Sequence, residues 1–279
     1  MAGVIATLRH PGPVQHRRWT ALPCTATPVA VMLPARPSLL ASAAEALAGF
    51  DGAWLWTEGA AMARLAFLIP GLDATGAHAA WYAGPHQMPA GARIVRLGLH
   101  LGWRDGVRFL HGHGVFAGPH WAGPEAGHIL PLESALAAPV MARGWGIAGA
   151  RLVQRPDPET AFPLFAPEAC GGGGGALLMT ARPNQDLAAA VEAAAAAHGM
   201  AEARVHGLGS LVSPVFDGGA QVASPATEIL LTGGVITAGQ ARLAADVVGL
   251  DGRLASGPLR RGPCGICVTA EILICASPA

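Results

Sequence analysis

Lysine is absent from this chain: all eighteen basic residues are arginine, and eighteen acidic residues balance them to a formal net charge of zero. A neutral chain without lysine is a poor electrostatic match for a phosphate backbone, whose binding depends on cations displacing counterions. Charge of either sign is scarce. Charged residues make up 13% and hydrophobic ones 52% of 279 residues, which excludes a solvated, disordered chain and favours a compact fold with extensive buried interfaces, hence an oligomer. Unbroken apolar runs are also missing. Trp19 to Ala35 and Ala74 to Ala92 carry no Asp, Glu, Lys or Arg, but Pro23, Pro28, Pro85 and Pro89 interrupt them, so neither reads as a membrane-spanning helix. Near the N-terminus, Arg9, His10 and Pro11 stand where an export signal would need an apolar core. The five cysteines, Cys24, Cys170, Cys264, Cys267 and Cys275, are an odd and scattered set. A reducing cytoplasm is therefore the expected location.

What is present is a repeat. Ala35-Arg36-Pro37-Ser38, followed by an Ala/Leu-rich run to Gly49, recurs as Ala181-Arg182-Pro183-Asn184 and an Ala-rich run to Gly199. Each predicts a helix: Ser38 or Asn184 can accept from free N–H groups of the first turn, alanine favours the helix, and the terminal glycine can supply a left-handed stop. After each helix, Ala53 to Phe67 lines up with Ala203 to Phe216 as strand, tight turn and strand, the turns being Thr57 to Ala60 and Gly207-Leu208-Gly209-Ser210. Arg93 to Leu101 then matches Glu228 to Ile236. In the first, Leu97, Leu99 and Leu101 alternate with Arg96, Gly98 and His100, predicting one apolar and one polar face. In the second, Ile229-Leu230-Leu231 predicts burial on both. Arg108 to Phe116 corresponds to Arg242 to Leu250, and Pro139 to Ala142 to Glu271 to Ile274. The ordered match implies two diverged copies, with these boundaries: residues 1–27 an N-terminal arm or edge segment, 28–155 the first domain, 156–175 a Pro/Gly linker, and 176–279 the second domain.

The residues that carry chemistry lie in the first copy. In Val107 to Val115, period-two geometry puts Val107, Phe109, His111, His113 and Val115 on one strand face, with the backbones of the two histidines roughly 6.6 Å apart. After a turn rich in Gly and Pro the chain returns with Gly127-His128, which can set a third imidazole on the neighbouring strand. Three neutral imidazoles and one open position suit Zn²⁺ or another divalent transition metal. His120, in the turn, is a weaker fourth candidate. Matching positions in the second copy are Ala244, Asp246 and Pro258, so that copy cannot build the same site. Cys264-x-x-Cys267 has the spacing of a zinc or redox pair but no second pair beside it, and reads as structural. The glycines 171–175 are not followed by Lys-Ser/Thr, as a phosphate loop requires.

Taken in order, Arg182-Pro183 with Asp186-Leu187, Gly207-x-Gly209-Ser210-Leu211, Glu228-Ile229-Leu230, and His111-x-His113 with Gly127-His128 resemble the plants-and-prokaryotes-conserved (PPC) domain family, over nearly the whole chain as two tandem copies. The resemblance implies an α/β fold of the α+β type, each domain a mainly antiparallel sheet with flanking helices, assembled into trimers, with the three histidines binding metal. Bacterial members are often labelled DNA-binding, and plant members join the domain to an AT-hook. This chain has no Arg-Gly-Arg-Pro hook. A more distant similarity is to acetolactate decarboxylase, which holds zinc through a His-x-His pair and a third histidine.

The leading expectation is a trimer-based tandem PPC protein that binds zinc at His111, His113 and His128 and acts on a small anionic metabolite. Arg36 and Arg96 would contact the anion, and Glu58 and Glu133 would transfer protons. The rival reading is a DNA-binding regulator, and a third is an assembly protein in which metal only organises subunits.

Overall fold

The computed structural model describes residues 5–277. Strand β1 (Trp19–Leu33) leads into helix α1 (Leu39–Ala46), and β2 (Gly52–Glu58), β3 (Met62–Arg64), β4 (Ala66–Gly71) and β5 (Trp81–Gln87) follow. The long hairpin of β6 (Arg93–Arg104) and β7 (Val107–Ala117) comes next, then β8 (Ala126–Ile129), the short β9 (Ala135–Leu136) and β10 (Val140–Ala148). A second hairpin is formed by β11 (Ala150–Pro156) and β12 (Pro163–Ala169). The remainder runs β13 (Ala176–Ala181), α2 (Leu187–Ala197), β14 (Ala203–Val212), β15 (Thr227–Thr237), β16 (Gln240–Val248), β17 (Leu254–Pro258) and β18 (Gly265–Ala276).

Apart from a single parallel bridge between β11 and β6, the pairing is antiparallel. One sheet carries the order β17-β16-β15-β14-β18-β13-β1-β10-β2-β6-β7-β8-β4-β5. Read outward from the β13–β1 contact, both sides show the same succession: the strand before the helix, a late-returning strand, the strand after the helix, and a hairpin. The class is thus the mainly antiparallel, two-helix α+β type that the resemblance implies.

Of residues 1–27, read from the sequence as an arm or edge segment, Trp19 onward belong to β1. Its first part, Trp19 to Cys24, pairs with β13, and its second, Thr25 to Leu33, with β10. Each residue therefore has a strand on one side only, which is how Pro23 and Pro28 are accommodated: neither needs an N–H for a second neighbour. The expected linker 156–175 is corrected, because Pro163 to Ala169 form β12 against β11. β12 pairs with no other strand, and an edge strand tolerates the prolines that made this segment look unstructured.

Helix α1 begins as expected, with Ser38 Oγ accepting from the Ala41 N–H at 3.1 Å. In α2 the cap is Asp186, accepting from Ala189 at 2.8 Å, rather than Asn184, whose amide instead pairs with both backbone groups of Leu8. The turn expected at Gly207 to Ser210 is absent: β14 runs straight through it, with an irregular register between Arg204 and Leu208.

Two apolar cores lie under the helices, one around Leu39, Leu55, Leu97 and Phe67, the other around Leu187, Val191, Ile229 and Ile272. A third core, with Trp54, Leu152, Phe165, Leu208, Leu230 and Leu273, joins the two halves of the chain. It exists because β15 lies across β6, β7 and β8. This crossing corrects the expected polar face of β6. His100 is fully buried and Gly98 approaches β15 so closely that a Cβ there would stand 2.4 Å from Leu230 Cδ1.

Candidate metal centre

β7 presents His111 and His113 on the face that the alternation requires, and β8 places His128 directly opposite His113 in register. The three rings converge. One nitrogen from each lies within 4.8 Å of the others, and the Nε2 atoms of His111 and His113 are 3.1 Å apart. Two nitrogens bound tetrahedrally at about 2.0–2.1 Å stand roughly 3.3 Å apart, so this pair already has a chelating separation.

The other ring nitrogens decide what those Nε2 atoms present. His111 Nδ1 faces Glu271 Oε2 at 2.6 Å, and His113 Nδ1 faces the Ile229 carbonyl at 2.8 Å. The Ile229 carbonyl requires a proton on His113 Nδ1, and an ionised Glu271 requires one on His111 Nδ1; in that state the two Nε2 atoms face a common point. Holding a ligand imidazole by its far N–H in this way is the usual arrangement at protein metal sites. His128 Nδ1 is buried with no hydrogen-bond partner among the described residues.

Burial pushes the His111 pKa down to about 3, with a further push from His113, and drives His128 well below its ordinary value. Both rings are therefore neutral, as metal ligands must be. His113 differs. Burial lowers its pKa, but the Glu228 carboxylate, 2.9 Å from its Nε2, outweighs that and raises it. A cation at this nitrogen, proton or metal, is what Glu228 favours. Glu271 is itself forced up to about 7 by burial, against the pull of His100 and His113.

Glu228 on β15 and Glu271 on β18 were not singled out as site residues from the sequence. Both come from the half of the chain that lacks the histidines. Glu271 had one visible signal: a lone carboxylate inside the apolar run Val268 to Ile274. In the second half, Asp246 occupies the position matching His113, but the residue opposite it is Ser256, not Pro258, and the Ser256 hydroxyl donates to Asp246 at 2.6 Å.

The four residues assigned to anion binding and proton transfer lie elsewhere. Arg36 is exposed in an ion pair with Glu45, and Arg96 is paired with Asp246. Glu58 is exposed and accepts from Trp56 Nε1, while Glu133 is exposed in the turn between β8 and β9, its carbonyl accepting from Arg64. These charges sit near strand ends, and the sequence does not say which end faces the histidines. His120 is exposed in the β7–β8 connection, apart from the three rings. Cys264 and Cys267 are buried free thiols, their pKa values pushed by burial to about 11 and about 12.

Beside the histidines opens a cavity of about 310 Å³, lined by His111 and His128, by Glu228, Thr227 and Glu271 at its base, and by aromatic side chains higher up. The Tyr82 hydroxyl is kept protonated by burial and by the two nearby carboxylates. The structure thus defines a buried three-histidine cluster, backed by carboxylates from the opposite half and open to a small-molecule cavity.

No family model matches the chain, and no curated protein does either. Solved structures similar to it include a metal-containing protein from Archaeoglobus fulgidus, 17% identical over 53% of this chain and 98% of that one, with a TM-score of 0.41. A plant- and prokaryote-conserved (PPC) protein from Pyrococcus horikoshii is 13% identical over 51% and 94%, with a TM-score of 0.37. A hypothetical protein from Salmonella enterica is 22% identical over 37% and 78%, with a TM-score of 0.33. The Pyrococcus protein carries the name of the family that the motifs of this chain resemble. Among the described residues no helix is long and apolar enough to cross a membrane.

Proposed function

We propose that the chain is a tandem PPC-type protein that holds a divalent transition metal, zinc first among them, between His111, His113 and His128 and binds a small molecule beside it. The observation that carries this reading is the paired orientation of His111 and His113: each Nδ1 is committed to an acceptor, and the two Nε2 atoms meet at 3.1 Å. So close an approach needs a cation between the two nitrogens, either the proton that Glu228 favours on His113 or a divalent ion in its place.

When bound, a divalent ion supplies Lewis-acid polarisation of an oxygen on the ligand. The protein's own groups do the rest. Glu271 fixes the ring of His111, and the Ile229 carbonyl fixes that of His113. Glu228 Oε2, next to His113 Nε2, can hold a proton taken from a ligand in the cavity.

The repeated strand order supports the two halves as diverged copies, the first keeping the histidines and the second contributing carboxylates. DNA binding, which the family resemblance carries with it, has no observation of its own here, since the chain is neutral and the site is lined by acids. Elemental analysis of purified protein tests the proposal: about one ion per chain is expected, and much less in His111→Ala. Equal content in both overturns it.

A further inference from the structure

We infer that the cavity receives an uncharged molecule carrying an aromatic or comparably flat apolar ring. The inference rests on the metal site proposed above for one end of the cavity, and on the walls for the rest.

Its volume of about 310 Å³ lies at the small end of the range for ligand sites, enough for one ring and a polar substituent. Five aromatic side chains line it: Trp81, Tyr82, Phe109, Phe162 and Phe165. They brace one another, with Trp81 5.1 Å from Phe162 and Tyr82 perpendicular to Phe162 at 6.2 Å between centroids. Trp81, at 42% exposure, stands at the mouth. A flat ring entering between such faces gains both burial and edge-to-face contacts.

Charge argues against an anion. No arginine lines the cavity, and beside His111 and His128 its charged-type side chains are the carboxyls of Glu228 and Glu271, both buried. The side chains nearest the three histidines are instead two carboxyl groups, which would face an incoming carboxylate or phosphate oxygen against oxygen. An anion would also give up its hydration in an apolar interior without a guanidinium to replace it. The Thr227 hydroxyl is committed to the backbone of Leu211, donating to its carbonyl at 2.9 Å and accepting from its N–H at 3.3 Å.

The test uses the full chain loaded with cobalt(II), followed by its visible absorption during titration with benzohydroxamic acid, acetohydroxamic acid and benzoate. The two hydroxamic acids enter the cavity uncharged, bind the metal through the same group with loss of one proton, which Glu228 can accept, and differ in the ring. Benzohydroxamic acid is expected to bind about tenfold or more tighter than acetohydroxamic acid, and benzoate most weakly. Phe109→Leu is expected to narrow the difference between the hydroxamic acids by weakening benzohydroxamic acid more than acetohydroxamic acid. Equal affinities for the two hydroxamic acids, or benzoate binding most tightly, overturn the inference. A protein that takes up no cobalt defeats the metal reading instead. In that case saturation-transfer NMR on metal-free protein decides the cavity separately: contact with benzyl alcohol but not benzoate upholds the inference, and the reverse, or contact with neither, ends it.

Discussion

His111 and His113 stand two positions apart on β7, and that spacing alone aims both rings to the same side of the sheet. Which nitrogen each ring offers is a separate matter, settled by Glu271 and by the Ile229 carbonyl. Glu271→Gln keeps an acceptor oxygen but loses the charge, whereas Glu271→Leu loses both. Metal affinity is expected to fall about tenfold in the first and about a hundredfold in the second, measured by competition with a chromophoric chelator. Affinity unchanged in both would mean that Glu271 does not position His111. The histidines were legible in the sequence because their spacing is local. Glu228 and Glu271 reach the same point from positions far along the chain, and only the folded sheet shows that.

Strand β6 shows what an element's neighbours impose on it. Its alternation of Leu97, Leu99 and Leu101 with Arg96, Gly98 and His100 was legible, and the leucines do enter the core of the first half. The polar face is not solvated, because β15 crosses it, and a glycine at 98 is what lets the strands approach. Gly98→Val places new atoms against Leu230 and Trp54, at a cost of about 1–3 kcal/mol. The denaturation midpoint should drop accordingly. An unchanged midpoint would show that the two faces are not in tight contact.

The segment before β1 and the turn between β11 and β12 illustrate another element that composition hid. Arg18 pairs with Glu159 at 2.8 Å, and Arg182 with Asp157 at 2.7 Å, with Glu159 only 1% exposed. Burial raises the pKa of both acids, but arginine and backbone donors outweigh it, so both lie below their ordinary values. A depressed folded-state pKa gives stability that is present above the unfolded value, about 4, and is lost as pH falls towards the folded one. Urea midpoints are therefore expected to decline on acidification below about pH 5, less steeply in Glu159→Gln. Equal slopes would remove Glu159 from the account. The prolines around these residues suggested a linker; they sit in a hairpin edge and in turns, where no N–H is required.

At the scale of the molecule, the order of elements in each half could be read from punctuation: a helix start, a glycine, then strands. How the two halves meet could not, since it depends on β1 spanning both and on the shared core around Trp54, Leu208 and Leu230. The consequence is that histidines of one half and carboxyl groups of the other form one cluster. Metal binding should therefore stabilise the whole chain. At a free ion concentration a hundred times Kd, about 2.7 kcal/mol is expected, seen as a raised Tm in wild type and none in His111→Ala. A shift of equal size in both would place the binding elsewhere.

The most direct measurement is a crystal structure of protein grown with zinc, with diffraction recorded on both sides of the zinc absorption edge. The account requires one strong anomalous peak at about 2.0–2.1 Å from a nitrogen of each of His111, His113 and His128. A peak bound by other residues, or no peak between rings that keep their present positions, would contradict it.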